Sequence, residues 1–186
     1  GMPIPDTKVL HLPATLADGL HRLEIVAYSP ASGVLFAEPT PVAWFWVGAP
    51  PAKPATPLSV RWRNGIELLG VDEPPTPLTA GAPITMRVRW QSAAPLTEAF
   101  TAFVHLLGPD GAIVAQDDHA PRHGFWPTTG WQPGVAVDDV FTLTLPALLA
   151  SGDYRLLMGW YNPADGARAL LEDGHDALEL MRWTAP

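Results

Sequence analysis

Short runs that alternate apolar and polar residues dominate the second two-thirds of this chain. Ile84, Met86, Val88 and Trp90 fall on one side of an extended backbone, and Thr85, Arg87 and Arg89 on the other. Phe141, Leu143 and Leu145 oppose Thr142 and Thr144, and Tyr154, Leu156, Met158 and Trp160 oppose Arg155 and Tyr161. Residues 58–63, 66–72, 100–107, 112–117, 168–172 and 177–183 read as further strands. About nine short strands punctuated by turn residues predict an all-β sandwich or barrel. Ala147–Ala150 reads as at most a single helical turn, and no long amphipathic helix is predicted.

The turns carry a second pattern. Leu12–Phe36 and Leu145–Ala169 align without gaps and match at 12 of 25 positions. The matches include Gly19 with Gly152, Arg22 with Arg155, Tyr28 with Tyr161, Pro30 with Pro163 and Gly33 with Gly166. Pro presets φ for the first central position of a turn, and the following Gly takes the left-handed conformation that closes a hairpin. Gly108-Pro109-Asp110-Gly111 has the same chemistry. Gly152-Asp153-Tyr154-Arg155-Leu156 matches the tyrosine corner of immunoglobulin-like sandwiches, where a Tyr hydroxyl ties a strand entrance to nearby backbone. The earlier copy has His21 in place of Tyr154, which predicts a weaker corner. The fold expected is an immunoglobulin-like antiparallel β-sandwich with an extra partial repeat of the same unit before it.

A proline-rich linker, Gly48–Pro57, separates the two parts. Residues 1–52 are read as the last third of a sandwich unit plus this linker, and residues 53–186 as one complete sandwich. The run Val42–Val47 is apolar without a break, whereas a strand with one wet face alternates. A third of a sandwich cannot bury its own inner face, so residues 1–48 are expected to add strands to a larger assembly, a homo-oligomer among the options.

Composition narrows the chemistry. The net charge of −8 argues against nucleic acid and anionic membrane surfaces as partners. Cysteine is absent, which removes disulfides, thiolate nucleophiles and Cys-type zinc sites. No apolar run approaches the roughly 20 residues of a membrane helix. Gly1–Asp6 has neither a basic stretch nor an apolar core and is not read as a signal peptide.

Candidate binding residues concentrate in Asp118–Ala136, a stretch read as a long loop. Phe125, Trp126 and Trp131 offer two alternatives. Exposed, they would stack on the apolar faces of sugar rings; folded back, they would plug one end of the sandwich. His119 and His123, near Asp117 and Asp118, are the polar neighbours. Their spacing would suit a metal on a helix, but Pro121 and Gly124 rule out a helix there, and no metal or cofactor is expected. His105, between apolar residues, reads as a satisfied core histidine. Asp138 and Asp139 are adjacent on a strand and point to opposite faces, so they cannot be the paired acids of a glycosidase. No nucleophile elbow, zinc-protease helix, phosphate loop or dinucleotide loop is present. Catalytic residues are therefore predicted to be none, with a glycan hydrolase the disfavoured alternative.

Phe103–Leu107, Pro109-Asp110-Gly111, Val114–Asp117, Trp126–Thr129, Trp131–Gly134, Leu145-Pro146 and Tyr154–Leu156 together resemble a β-sandwich domain of bacterial envelope proteins. That domain is similar to the soluble C-terminal region of multi-pass, glycosyltransferase-like membrane proteins. The resemblance spans about residues 58–183. It implies an extracytoplasmic accessory domain without catalytic residues: a binding or assembly module that recognises a glycan or a protein.

Overall fold

The computed structural model describes residues 7–74 and 78–186, so Gly1–Asp6 lies outside the described residues. The chain divides into two compact units, one ending at Pro51 and the other running Ala52–Pro186.

The second unit is all-β. In chain order its strands are β3 (Thr56–Arg61), β4 (Ile66–Val71), β5 (Pro83–Ser92), β6 (Thr101–Leu107), β7 (Ile113–His119), β8 (Val137–Thr144), β9 (Gly152–Tyr161) and β10 (Leu178–Ala185). They form two four-stranded antiparallel sheets, ordered β3-β4-β5-β8 and β10-β9-β6-β7. The alternation read in the sequence is the alternation of burial: Ile84, Met86, Val88 and Trp90 are buried, as are Tyr154, Leu156 and Met158. Trp90 of one sheet meets Trp160 of the other edge-to-face, with centroids 4.8 Å apart. Trp62 abuts Trp90, and Trp131 abuts Trp160, each at 5.8 Å. A chain of four indoles thus runs through a sandwich-like core.

Two predicted elements differ. Residues 168–172 form no strand, because Arg168 and Leu171 make only isolated bridges, to Tyr161 and Trp62. Ala147 and Leu148 bend without closing a helical turn. Pro146 stands just before them, and its carbonyl already accepts the Gly81 N–H at 2.8 Å.

The first unit is a hairpin of β1 (Gly19–Ile25) and β2 (Thr40–Val47). Its internal geometry repeats that of β9 and β10. Gly19 and Gly152 open their strands at φ 135° and 128°, outside the range of other residues. The corner is present in both. Tyr154 donates its hydroxyl to the Ala150 carbonyl at 3.0 Å, and His21 Nε2 lies 2.7 Å from the Ala17 carbonyl. His21 stacks on Phe45 as Tyr154 stacks on Trp183, both at 5.7 Å. The imidazole therefore makes the same tie as the phenol, so the corner is not lost with the substitution.

The turns agree bond for bond. Ser29 N–H donates to Val34 O, Gly33 N–H to Ser29 O and Phe36 N–H to Ala27 O. Asn162 N–H donates to Ala167 O, Gly166 N–H to Asn162 O and Ala169 N–H to Trp160 O. The strand register also agrees. Gly19 faces Val47 and Leu23 faces Ala43 before a bulge brings Glu24 opposite Pro41. Gly152 faces Ala185 and Leu156 faces Met181 before a bulge brings Leu157 opposite Glu179.

Candidate functional site

The loop read from the sequence as Asp118–Ala136 is shorter and more ordered than expected. β7 runs on through His119, because Ala102 and Phe103 of β6 pair with His119 and Asp118. A tight turn, Pro121–Gly124, and a 3-10 turn, Thr128–Gly130, follow. Proline at the start of the first turn presets its φ and has no N–H to leave unsatisfied.

Trp126 and Trp131 are each only 3% exposed. The Trp126 indole N–H donates to the Gly130 carbonyl, and the Trp131 indole N–H donates to the Trp126 carbonyl, both at 3.1 Å. These rings fold inward and hydrogen-bond within their own loop, which leaves no ring face open for a sugar in this conformation. Phe125 alone of the three aromatics presents surface, at 38%. Thr128, which the sequence did not single out, anchors the loop. Its hydroxyl donates to the Glu98 carbonyl and accepts the Phe100 N–H, both at 2.9 Å.

His119 and His123 do come together, with ring centroids 4.1 Å apart. His119 is half-buried, its ring lying between that ring and Phe141, whose centroid lies 4.3 Å away. Its Nδ1 lies 2.9 Å from Asp117, and its Nε2 lies 3.4 Å from Asp139, a contact of charges more than a formed hydrogen bond. Burial opposes protonation of this ring. The carboxylates of Asp139 and Asp117 outweigh that effect, so the His119 pKa is raised above its ordinary 6.5.

Both carboxylates also bind backbone. Asp117 accepts the Thr142 N–H at 2.7 Å, and Asp139 accepts the Arg122 N–H at 3.0 Å. β7 and β8 are edge strands of different sheets. The Asp117–His119–Asp139 set therefore closes one open side of the sandwich and holds the Pro121–Gly124 turn to it. That turn needs holding, because Arg122 and His123 sit at φ 54° and 53°. A left-handed conformation costs about 1–2 kcal/mol for a residue with a side chain.

The neighbouring acids are committed as well. Asp138 takes a two-point contact from Arg89, at 2.6 and 2.8 Å, on the face opposite Asp139. His105 is nearly buried with Nε2 2.9 Å from Asp118, a paired core histidine as its apolar setting predicted. Among the described residues, no three His, Asp or Glu side chains are arranged to hold a metal ion. Among the same residues, no helix is long and apolar enough to cross a membrane. The sequence grouped Asp117, Asp118, His119 and His123, but weighed Asp139 only as a paired acid with Asp138; its partnership with His119 exists only once β7 and β8 are side by side.

The exposed apolar surface lies elsewhere. Within the first unit, Ile25 is 62% exposed, Phe36 72% and Val34 62%, and Val26, Tyr28, Leu35 and Val42 are exposed too. β1 is hydrogen-bonded to β2 along one edge, and among the described residues no strand pairs its other edge.

No protein-family model matches the chain, and no curated protein matches its sequence. Among solved structures, the crystal structure of the C-terminal domain of wzt is similar, with a TM-score of 0.39 and 16% sequence identity over 70% of this chain and 85% of that one.

Proposed function

We propose that this chain is a non-catalytic binding and assembly module of the bacterial cell envelope. In this reading an immunoglobulin-like sandwich, residues 52–186, follows a partial repeat that engages another polypeptide. The observation that carries the reading is the agreement of β1–β2 with β9–β10 in corner, turn and bulged register, combined with their opposite burial. β9 is buried in its sheet; β1 has an open edge and exposed apolar side chains. A large exposed apolar patch on a β-edge marks an interaction surface.

The immunoglobulin-like assignment draws support from strand order. The sheet β10-β9-β6-β7 follows the order of the sheet that carries strands G, F and C in antibody variable domains. The tyrosine corner then opens the F-equivalent strand, β9. Antibody domains cross-link strands B and F by a disulfide; here Trp90 and Trp160 join the equivalent strands. The envelope setting rests on the motif resemblance across residues 58–183. The non-catalytic reading rests on Asp117, Asp118, Asp138, Asp139, His105 and His119, each of which is engaged in closing or supporting the sandwich.

Hydrogen exchange of the monomeric chain, with its mass checked by light scattering, tests the assembly role. A two-stranded hairpin alone is marginal in water. Amides of 19–25 and 40–47 are expected to exchange on the order of a hundredfold faster, or more, than those of 152–161. A monomer in which both hairpins exchange equally slowly would make the first unit self-sufficient and overturn the reading.

A further inference from the structure

We propose that the first unit takes up one antiparallel strand from a different polypeptide along the open edge of β1, in the register that β6 uses on β9, with apolar side chains opposite Leu23, Ile25 and Ala27. This rests on the assembly reading above and specifies its partner.

The register follows from the agreement between the two hairpins. On β9, Leu106 lies opposite Leu156, Val104 opposite Met158, Phe103 opposite Gly159 and Ala102 opposite Trp160. The turn and register matches put Leu23, Ile25, Val26 and Ala27 where β9 has Leu156, Met158, Gly159 and Trp160. Leu156, Met158 and Trp160 are fully buried, while Leu23 is half-buried and Ile25 and Ala27 are exposed. The hairpin already has its corner, its turn and its ring stack, and receiving the strand extends β1 through Val26 and Ala27, as β9 runs on to Tyr161. Adding one to a free edge satisfies main-chain groups, and alternate side chains set specificity. The incoming strand must be apolar at every second position, as β6 is at Ala102, Val104 and Leu106.

β6 itself is not the donor, because it is already paired on both sides, by β7 and β9. On β9 the Phe103 ring lies across Gly159, where a Cβ would sit 2.5 Å from the ring. Val26 leaves no such gap, so an aromatic opposite it takes another rotamer and pairs with the β-branched side chain. The partner is thus a strand of another polypeptide, and not β6 of a second copy.

Two synthetic peptides test this on the full chain: residues 100–108, and a scrambled peptide of the same composition. Hydrogen exchange across 22–28 is the readout. The 100–108 peptide is expected to slow exchange there at least tenfold, and the scrambled peptide to leave it alone. An Ile25→Asp chain, with a charge where the donor's apolar side chains must pack, should lose the protection. The proposal is overturned if the scrambled peptide protects as well, if protection falls on unit-two strands instead, or if the 100–108 peptide does not protect. A hairpin that exchanges as slowly as β9 before any peptide is added defeats the assembly reading itself. A fast-exchanging hairpin that ignores the peptide defeats only the donor strand.

Discussion

Replacing Trp131 with alanine separates a core plug from a recognition platform. The side chain is 3% exposed, meets Trp160 edge-to-face at 5.8 Å and donates its indole N–H to the Trp126 carbonyl. Truncating a buried Trp to Ala costs about 3–5 kcal/mol, through lost transfer energy and the cavity left behind. Losing the hydrogen bond leaves a carbonyl unpaired, worth about 1 kcal/mol, which favours the upper half of that range. Taking about 4 kcal/mol, and roughly 3–4 °C per kcal/mol for a unit of this size, the melting temperature should fall by about 12–16 °C. Phe125→Ala is the control, because that ring is partly exposed; it should cost about 1 kcal/mol or less. Far-UV circular dichroism, followed through heat and urea unfolding, measures both without relying on tryptophan emission. If Trp131→Ala lost no more stability than Phe125→Ala, the ring would not be a plug, and the reasoning from its burial would fail.

Tyr154→Phe keeps the stack on Trp183 but removes the hydroxyl bond to Ala150; urea unfolding should show a loss of about 1 kcal/mol. Gly159→Ala should destabilise by about 1–3 kcal/mol through overpacking against Phe103. In a double-mutant cycle, Phe103→Ala should reduce the cost of Gly159→Ala to the part set by the Asp176 carbonyl, 3.1 Å from the added Cβ, and additive losses would refute the clash. His119 has a folded-state pKa raised above the unfolded value of 6.5. Its contribution is therefore fully present below about pH 6.5 and is lost as pH rises through the raised folded value. Urea midpoints of the wild type relative to His119→Gln should show an advantage at pH 6 that shrinks toward pH 9, and a flat difference would contradict the charged pairing with Asp117 and Asp139.

The strands were legible because their burial alternates with the pleat, as at Ile84–Trp90, where every second residue is buried. The turns were legible because glycine at φ 71–80° has few substitutes, so Gly33, Gly111 and Gly166 mark their hairpins wherever the chain carries them. Tertiary partnership was harder to read. Residues 168–172 have strand composition, but they meet their neighbours only through single bridges. The direction of Trp126 and Trp131 depends on bonds to Gly130 and Trp126 itself, so apolar character alone left inward and outward placements open. Asp139 looks like any strand-end acid until β8 lies beside β7 and its carboxylate reaches His119 and the Arg122 amide.

The two hairpins separate what local sequence encodes from what a core supplies. The ties of β1–β2 are short-range: His21 to Ala17, Gly33 to Ser29, Ser29 to Val34. Such contacts carry a small entropy of loop closure, so the same turn can form with or without a neighbouring sheet. The burial that stabilises β9 is long-range, arriving from β6 on its edge and from Trp90 on its face. β1 has the first kind of contact and lacks its counterpart of the second at Ile25 and Ala27, where β9 carries Met158 and Trp160. Fully burying a residue such as Ile contributes about 1.5–3 kcal/mol, and an isolated hairpin is marginal without such burial. On the proposal above, a donor strand that covers Ile25 adds this burial to the first unit, and the stability of that unit then measures whether the partner is bound.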